Sequence, residues 1–280
     1  MKRILSGLIL FALLMLAIWF PHPLPFTIFA ALAMGLGLHE YYSLAEKLGY
    51  FCYRSLGFTA SGLIVLVFYF AGREQNASQL SLLLPIIAAL VALALILSLK
   101  RSNKFDVALA STAATVFGVL YVAMLAGFAI AVKMISSDSS HFPSPGAKLL
   151  TFFFLVVAGS DTGAYFTGRA LGKHKLAPNI SPGKTIEGSI GGLILGLAGG
   201  ALSKLWFFPE IPWLHVVALA SILIVAGTLG DLCESMLKRG SKTKDAASII
   251  PGHGGVLDRL DSLLFNAPII YYYHLLFFKQ

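Results

Sequence analysis

A polar segment near the C-terminus combines the residue types that handle phosphate groups and metal ions. This segment, Ser235 to Asp261, reads SMLKRGSKTKDAASIIPGHGGVLDRLD. Five cations and three carboxylates flank or precede its glycine-rich PGHGG turn: Lys238, Arg239, Lys242, Lys244, Arg259, Asp245, Asp258 and Asp261. Lys and Arg donate hydrogen bonds to phosphate oxygens, and Mg²⁺ binds carboxylates together with water and phosphate. The composition therefore indicates a phosphate- and metal-handling site.

Two more carboxylates, Asp231 and Glu234, stand just before this segment at the end of an apolar run. If the helix continues, residues three and four positions apart share one face. That face would carry Asp231, Glu234, Ser235 and Lys238. Charged residues also mark helix ends simply because the helix meets water there. Asp231 follows a long apolar run, and carboxylates at membrane depth usually pair or bind ions, which favours a functional role here.

The last apolar run begins with Asp258 and Asp261, which flank Arg259. Asp231 and Asp258, from separate helices meeting at the membrane surface, could supply carboxylate ligands for a Mg²⁺ ion. The alternative is a helix cap with a surface ion pair, which suits Asp261 better than the cluster as a whole.

Asp161 lies inside another apolar run, in VVAGSDTGAYFTGR. Such a carboxylate could serve as a proton-relay group in a transporter, or as the partner of a cation or metal ion held by another helix. Glycines thin the same run at Gly159, Gly163 and Gly168. We therefore expect another element to pack against it.

Lys184 lies in the sequence Gly183-Lys184-Thr185, which is similar to the end of a P-loop. The first glycine of that motif is replaced by Pro178, and no β-strand pattern precedes it. Lys184 remains a predicted phosphate contact, because the next helix begins at once and a helix N-terminus favours anions. His253, in PGHGG, could bind phosphate, act as an acid or hold the turn. The other histidines and both cysteines form no ligand pattern.

The rest of the chain is typical of a membrane protein. Of 280 residues, 57% are hydrophobic and only 12% are charged, against about 25% charged in soluble domains. About nine apolar runs are candidates for crossing the membrane. They lie near 4–20, 24–40, 56–72, 79–99, 108–132, 148–168, 187–206, 212–232 and 260–277. The fold class predicted is an all-α polytopic bundle, with N-terminal helices in 1–132 and a catalytic region in 133–280.

The distribution of cations predicts the orientation. With the N-terminus in the cytoplasm, most of the 21 Lys and Arg residues fall in cytoplasmic segments. The two largest of these are loops 169–186 and 233–259. The net charge of +8 is then explained by the membrane, without a nucleic-acid partner. Glycines recur every fourth residue from Gly188 to Gly200, which suits close helix packing and could also serve a homodimer contact.

The polar segment resembles the signature of the phosphatidate cytidylyltransferase (CDP-diacylglycerol synthase) family. The resemblance is carried by SMLKR, KDAASIIPGHGG and LDRLD, and also by SDTGAYFTGR and LGKHKLAPNISPGKTIEGSIGG. Together these motifs cover about residues 155–265. The N-terminal part is similar to the family only in being hydrophobic.

This resemblance implies transfer of the cytidylyl group of CTP to phosphatidate, with Mg²⁺, at the inner membrane. It makes Asp231 and Asp258 the first choices as metal ligands, with a second cation near Asp161. The implied phosphate contacts are Lys184, Lys238, Arg239, Lys244 and Arg259. Glu234, Asp245 and Asp261 would be further ligands or orienting groups. Two alternatives stay open: a CTP-dependent kinase of polyprenyl or phytyl alcohols, and an ion-coupled transporter using Asp161.

Overall fold

The computed structural model describes residues 2–73, 77–100, 105–135, 143–243 and 254–278. Within them the chain forms ten α-helices: α1 Lys2–Trp19, α2 Leu24–Lys47, α3 Arg54–Arg73, α4 Leu83–Leu99, α5 Phe105–Gly118, α6 Leu125–Lys133, α7 Pro145–Leu171, α8 Ile186–Trp206, α9 Trp213–Gly240 and α10 Leu257–Phe277. A 3₁₀ segment, Ala77–Leu82, precedes α4, and a π-helical segment, Val119–Met124, joins α5 to α6.

The predicted fold class is confirmed, because the described residues are almost entirely helical. In the described part of the chain, six stretches are long and apolar enough to cross a membrane: Arg54–Gly72, Leu80–Leu99, Val107–Lys133, Pro145–Leu171, Ile186–Trp206 and Trp213–Gly240. The chain is therefore a multi-pass membrane protein. The total of nine spans, the cytoplasmic N-terminus and the division at residue 132 stay predictions.

The two predicted cytoplasmic loops contain more regular structure than the sequence indicated. Helix α9 continues to Gly240, so the first part of loop 233–259 is helical. Loop 169–186 contains the antiparallel hairpin β1 Lys175–Ala177 and β2 Ser181–Thr185. The expectation that no strand precedes Lys184 is therefore wrong. The strands are too short to show an alternating pattern in the sequence, and the hairpin is held in place by a residue of α8.

The Glu187 carboxylate, in the first turn of α8, holds the hairpin in place. Its Oε2 accepts a hydrogen bond from the Lys173 backbone amide at 3.0 Å. Its Oε1 lies 2.6 Å from His174 Nδ1. These contacts hold the base of the hairpin against the start of α8.

Glycines let α7 and α8 pack backbone to backbone. A methyl group added at Gly163 would lie 2.3 Å from the Gly191 carbonyl oxygen, and one at Gly159 would lie 2.6 Å from that of Leu195. The glycines of α8 face the same contact, since Gly192 lies against Ser160. The prediction that another element packs on the glycines of α7 is confirmed. The glycine face of α8 is used within the chain.

Helix α10 connects the two halves of the protein. It packs against α9 on one side and against α2 and α6 on the other. Its side chains Leu257, Leu264 and Ile270 are almost completely buried. Gly37 of α2 allows the close approach, because a methyl group there would lie 3.1 Å from Leu260. The N-terminal helices therefore support the helix whose first turn carries Asp258.

Candidate active site

A cavity of about 320 Å³ opens between α7, α8, α9, α10 and strand β2. Its polar lining comes from five elements: Ser160, Asp161, Lys184, Ser189, Thr228, Asp231 and Ser262. Apolar side chains of α7 and α9, including Val157 and Leu223, complete the wall. The cavity thus offers charged and apolar surfaces side by side, as a ligand with a polar and a lipid part requires.

Lys184 is held at the edge of this cavity by the local structure around it. It lies in β2, and the following residue, Thr185, caps α8 by accepting a hydrogen bond from the Gly188 amide at 3.1 Å. Lys184 Nζ lies 2.7 Å from Asp231 Oδ2. It also donates to the Thr228 carbonyl oxygen at 3.4 Å. The sequence placed Lys184 at a helix start, and this position is confirmed.

Three carboxylates meet where α9 and α10 come together. One ligand atom from each of Asp231, Glu234 and Asp261 lies within 4.8 Å of the others. Helix α9 continues through Glu234, which brings Asp231 and Glu234 onto one face as predicted. Gly230 permits the approach of α10, because a methyl group there would lie 2.5 Å from the Asp261 carbonyl oxygen.

Lys238 joins this carboxylate cluster to the start of α10. Its Nζ lies 2.5 Å from Asp258 Oδ1 and also forms an ion pair with Glu234, which is fully buried. The other Asp258 oxygen, Oδ2, accepts a hydrogen bond from the Gly255 amide at 2.8 Å. The sequence offered a helix cap with an ion pair as the alternative role, mainly for Asp261. In the structure it is Asp258 that makes these contacts. The role of Asp258 as a metal ligand stays a prediction.

Asp161 belongs to the same site, although it comes from a different helix. It interacts electrostatically with Asp231, Lys184 and Arg259. The electrostatic interaction of Asp161 with cations of other elements agrees with the second of its two predicted roles. Asp261 interacts electrostatically with both Asp231 and Asp161.

The charges of the site favour a bound cation. Five described carboxylates interact here: Asp161, Asp231, Glu234, Asp258 and Asp261. Lys184, Lys238 and Arg259 balance three of them. Among the described residues these carboxylates outnumber the cations, and carboxylates at membrane depth are costly unless they pair or bind an ion. A donor set of carboxylate oxygens suits a divalent ion such as Mg²⁺.

Among the remaining predicted residues the structure describes Arg239, which is not part of this cluster. Arg239 is exposed, and its guanidinium donates to the Ile180 carbonyl oxygen at 3.2 Å, so it ties α9 to the turn of the hairpin. Lys244, Asp245 and His253 lie outside the described residues, and their assignments stay predictions.

Two residues of the N-terminal half reach the site without being predicted. Glu40 of α2 is fully buried and accepts hydrogen bonds from the first amides of α10. Tyr121, in the π-helical segment, is buried and interacts electrostatically with Glu234 and Asp261. A carboxylate at the end of an apolar run is a visible signal for Glu40. Tyr121 has no such signal, because the sequence does not reveal the π-helical segment.

Comparison with known proteins agrees with this arrangement. A model of the cytidylyltransferase family matches residues 1–277. This chain belongs to that family. A phosphatidate cytidylyltransferase from Haemophilus influenzae is 33% identical over 290 aligned residues, which cover 98% of each chain. Another from Bacillus subtilis is 46% identical over 131 residues, 46% of this chain and 49% of that protein. A third, from Staphylococcus haemolyticus, is 48% identical over 130 residues, 45% of this chain and 49% of that protein.

Membership in the cytidylyltransferase family confirms the resemblance noted in the sequence. The chain is a nucleotidyltransferase enzyme, built as a multi-pass membrane protein. The transporter alternative for Asp161 is therefore not supported. The carboxylates and cations described above are the candidate machinery for cytidylyl transfer.

Proposed function

We propose that this cytidylyltransferase joins CTP and phosphatidate at the cytoplasmic face of the inner membrane, giving CDP-diacylglycerol and pyrophosphate for phospholipid biosynthesis. The observation that carries the proposal is the Lys184–Asp231 pair, set in a cavity with both charged and apolar walls between membrane helices. A lipid phosphate and a nucleotide triphosphate both need cations. Only the lipid also needs an apolar route to them. The names of the relatives support phosphatidate as the acceptor.

The reaction forms a bond between a phosphatidate oxygen and the α-phosphorus of CTP. The bond from that phosphorus to the β-phosphate oxygen breaks, and pyrophosphate leaves with the electron pair. A phosphate monoester has a second pKa near 6 and is largely ionised at neutral pH, so a strong general base is unnecessary. Catalysis then rests on in-line positioning and on neutralising the phosphate charges.

The cluster of Asp231, Glu234 and Asp261 would hold a Mg²⁺ ion, with Asp258 and Asp161 as nearby carboxylates. When bound, the ion would neutralise phosphate oxygens and orient them for displacement. The excess of carboxylates over cations among the described residues of the site supports a bound metal ion, and Asp161 would take part in holding a second cation.

Three described cations would contact phosphate. Lys184 reaches the cavity from β2, Lys238 lies between two carboxylates of the site, and Arg259 lies on the exposed side of α10. A phosphate entering the cavity would compete with Asp231 for Lys184. The predicted contacts from Arg239 and Lys244 complete the proposed set.

The partners follow from the same chemistry. CTP would arrive from the cytoplasm and phosphatidate from the membrane, with no role for nucleic acid. A homodimer stays a prediction, and the glycine face of α8 is not a candidate for it, because that face already packs against α7 and α9.

The proposal is tested by supplying the purified protein with phosphatidate, Mg²⁺ and CTP that carries radiolabel in either the α- or the γ-phosphate. Cytidylyl transfer places the α-label in lipid and releases the γ-label as pyrophosphate. Label from the γ-position in lipid would instead identify a CTP-dependent lipid kinase. A matched reaction with a polyprenyl alcohol in place of phosphatidate is expected to give no labelled lipid.

A further inference from the structure

The start of α10 is held by a carboxylate from the opposite half of the protein. Glu40 Oε1 accepts a hydrogen bond from the Val256 amide at 2.9 Å, and Oε2 accepts one from the Leu257 amide at 2.7 Å. Glu40 is fully buried, although it is separated from these residues by more than two hundred positions of sequence. A buried carboxylate that accepts hydrogen bonds from two amides holds them in place, because breaking these bonds would leave a buried charge without partners.

Gly255 lies between Glu40 and Asp258. A methyl group added at Gly255 would lie 2.5 Å from Glu40 Oε2 and 3.1 Å from Asp258 Oδ2. Gly254, just before it, has a φ of +78°, a conformation that other residues rarely adopt. The amides of Gly255, Val256 and Leu257 are therefore shared between two carboxylates, one from α10 and one from α2.

This arrangement continues into the candidate active site. Asp258, which binds the Gly255 amide, also binds Lys238, and Lys238 pairs with Glu234 of the carboxylate cluster. Asp261 lies one helical turn after Asp258 and belongs to the cluster itself. The position of α10 along its axis therefore decides where both aspartates stand relative to α9.

Glu40 also decides what the start of α10 can bind. A helix N-terminus with free amides attracts phosphate groups. Here the amides of Val256 and Leu257 are occupied by Glu40, and its negative charge opposes any anion at this end. Phosphates are thereby left to the cations on the other side of the site, among them Lys184.

We propose that Glu40 is a positioning residue of the active site, which acts from the N-terminal half by fixing α10 and with it Asp258 and Asp261. The inference rests on the proposed function of this site. It assigns part of the N-terminal half to the transfer reaction, whereas the motifs of the family resemblance lie only in residues 155–265.

The test compares wild-type protein with Glu40→Gln, purified in detergent. Gln keeps the shape of the side chain but turns one acceptor into a donor that faces an amide. Outer partners of metal ligands typically change activity or metal affinity by about 10- to 100-fold. We expect kcat to fall by about that factor with little change in KM for CTP. We also expect the Mg²⁺ midpoint of thermal stabilisation to rise by about 10-fold or more.

Glu46→Gln on the same helix is the matched control, because Glu46 forms a partly exposed ion pair with Arg54, away from α10. Its kcat and Mg²⁺ midpoint are expected to match those of wild type. Glu40→Asp, which keeps the charge, should recover part of the activity lost in Glu40→Gln. If Glu40→Gln does not fold, kcat and the Mg²⁺ midpoint of Glu40→Asp are compared with those of wild type instead.

A lower Tm with unchanged kcat and unchanged Mg²⁺ midpoint would reduce Glu40 to a structural cap and overturn the proposal. If the wild-type protein transfers no cytidylyl group, the proposed function fails. The Mg²⁺ midpoint measured by thermal stabilisation then still decides whether Glu40 positions the carboxylate cluster, because that readout does not depend on turnover.

Discussion

Lys184 Nζ and Asp231 Oδ2 lie 2.7 Å apart and join the β-hairpin to helix α9 across the cavity. Their side chains are 24% and 38% exposed, so the pair is hydrated to a degree that gives little stability. Exposed ion pairs contribute about 0–1 kcal/mol. The pair is better explained as two groups held ready for charged ligands, one for phosphate and one for a metal ion.

Replacing Lys184 by Met should separate these two explanations. We expect Lys184→Met to change the free energy of unfolding by less than about 1 kcal/mol, because the ion pair is partly exposed. We expect kcat/KM to fall by about 10²- to 10³-fold, since a charge contact made in the transition state is lost. Thermal melting and steady-state kinetics with CTP measure both quantities.

Lys173→Met is the control, because Lys173 is also exposed at the base of the hairpin but does not line the cavity. Its activity should equal that of wild type. Equal losses in the two variants would show that the general positive charge of this loop matters, and not the placement of Lys184.

The carboxylates should divide into metal ligands and orienting groups. We expect Asp231→Asn, Asp261→Asn and Asp258→Asn each to abolish turnover, as removal of Mg²⁺ by a chelator also should. Stabilisation by Mg²⁺ in thermal melting should be lost for Asp231→Asn and Asp261→Asn, which belong to the cluster. It should persist for Asp258→Asn, because Asp258 is engaged by Lys238 and the Gly255 amide.

If Mg²⁺ stabilisation is instead lost for Asp258→Asn and persists for Asp261→Asn, the metal ligands are Asp231 and Asp258, the pair that the sequence favoured. Normal turnover in any of the three variants, or in the presence of chelator, would contradict the metal site as described.

The contact between α7 and α8 predicts a difference between two glycine substitutions. Gly163→Ala would place a methyl group 2.3 Å from the Gly191 carbonyl oxygen, so the helices must separate. We expect a loss of about 1–3 kcal/mol of stability, the usual effect of overpacking, together with lower activity because the cavity lies between these helices. Thermal melting in detergent measures the loss.

Gly62→Ala in α3 is the matched control. A methyl group at Gly62 meets nothing within 4 Å. Alanine favours a helix over glycine by about 1 kcal/mol, so this variant should melt at or above the wild-type temperature. If both variants behave alike, close packing at Gly163 does not govern stability.

The predicted orientation of the protein in the membrane can be tested by labelling cysteines introduced near the two ends of α8. In a background lacking Cys52 and Cys233, Lys175→Cys on the hairpin should resist a membrane-impermeant thiol reagent in intact cells. Pro209→Cys, in the exposed segment between α8 and α9, should react in the same cells. Reaction of Lys175→Cys without permeabilisation would reverse the topology and place the candidate active site outside.

The sequence by itself determined the fold class, because long apolar runs leave the backbone no alternative to helices in lipid. It also predicted that the chemistry lies near Lys184, Asp231, Lys238 and Asp258, because charged residues persist in an apolar chain mainly where they act or pair. Residue spacing along α9 correctly predicted that Asp231 and Glu234 share a face, since that relation is local to one helix.

Only the tertiary structure decided how separate helices share their charges. In it, Lys238 pairs with both Glu234 and Asp258. Asp261 lies close to Asp231, and Glu40 binds the start of α10. These contacts depend on the register between helices, which glycines such as Gly163 and Gly230 set through backbone approach. A linear pattern specifies which face a residue occupies, but the partner on the neighbouring helix is fixed by packing.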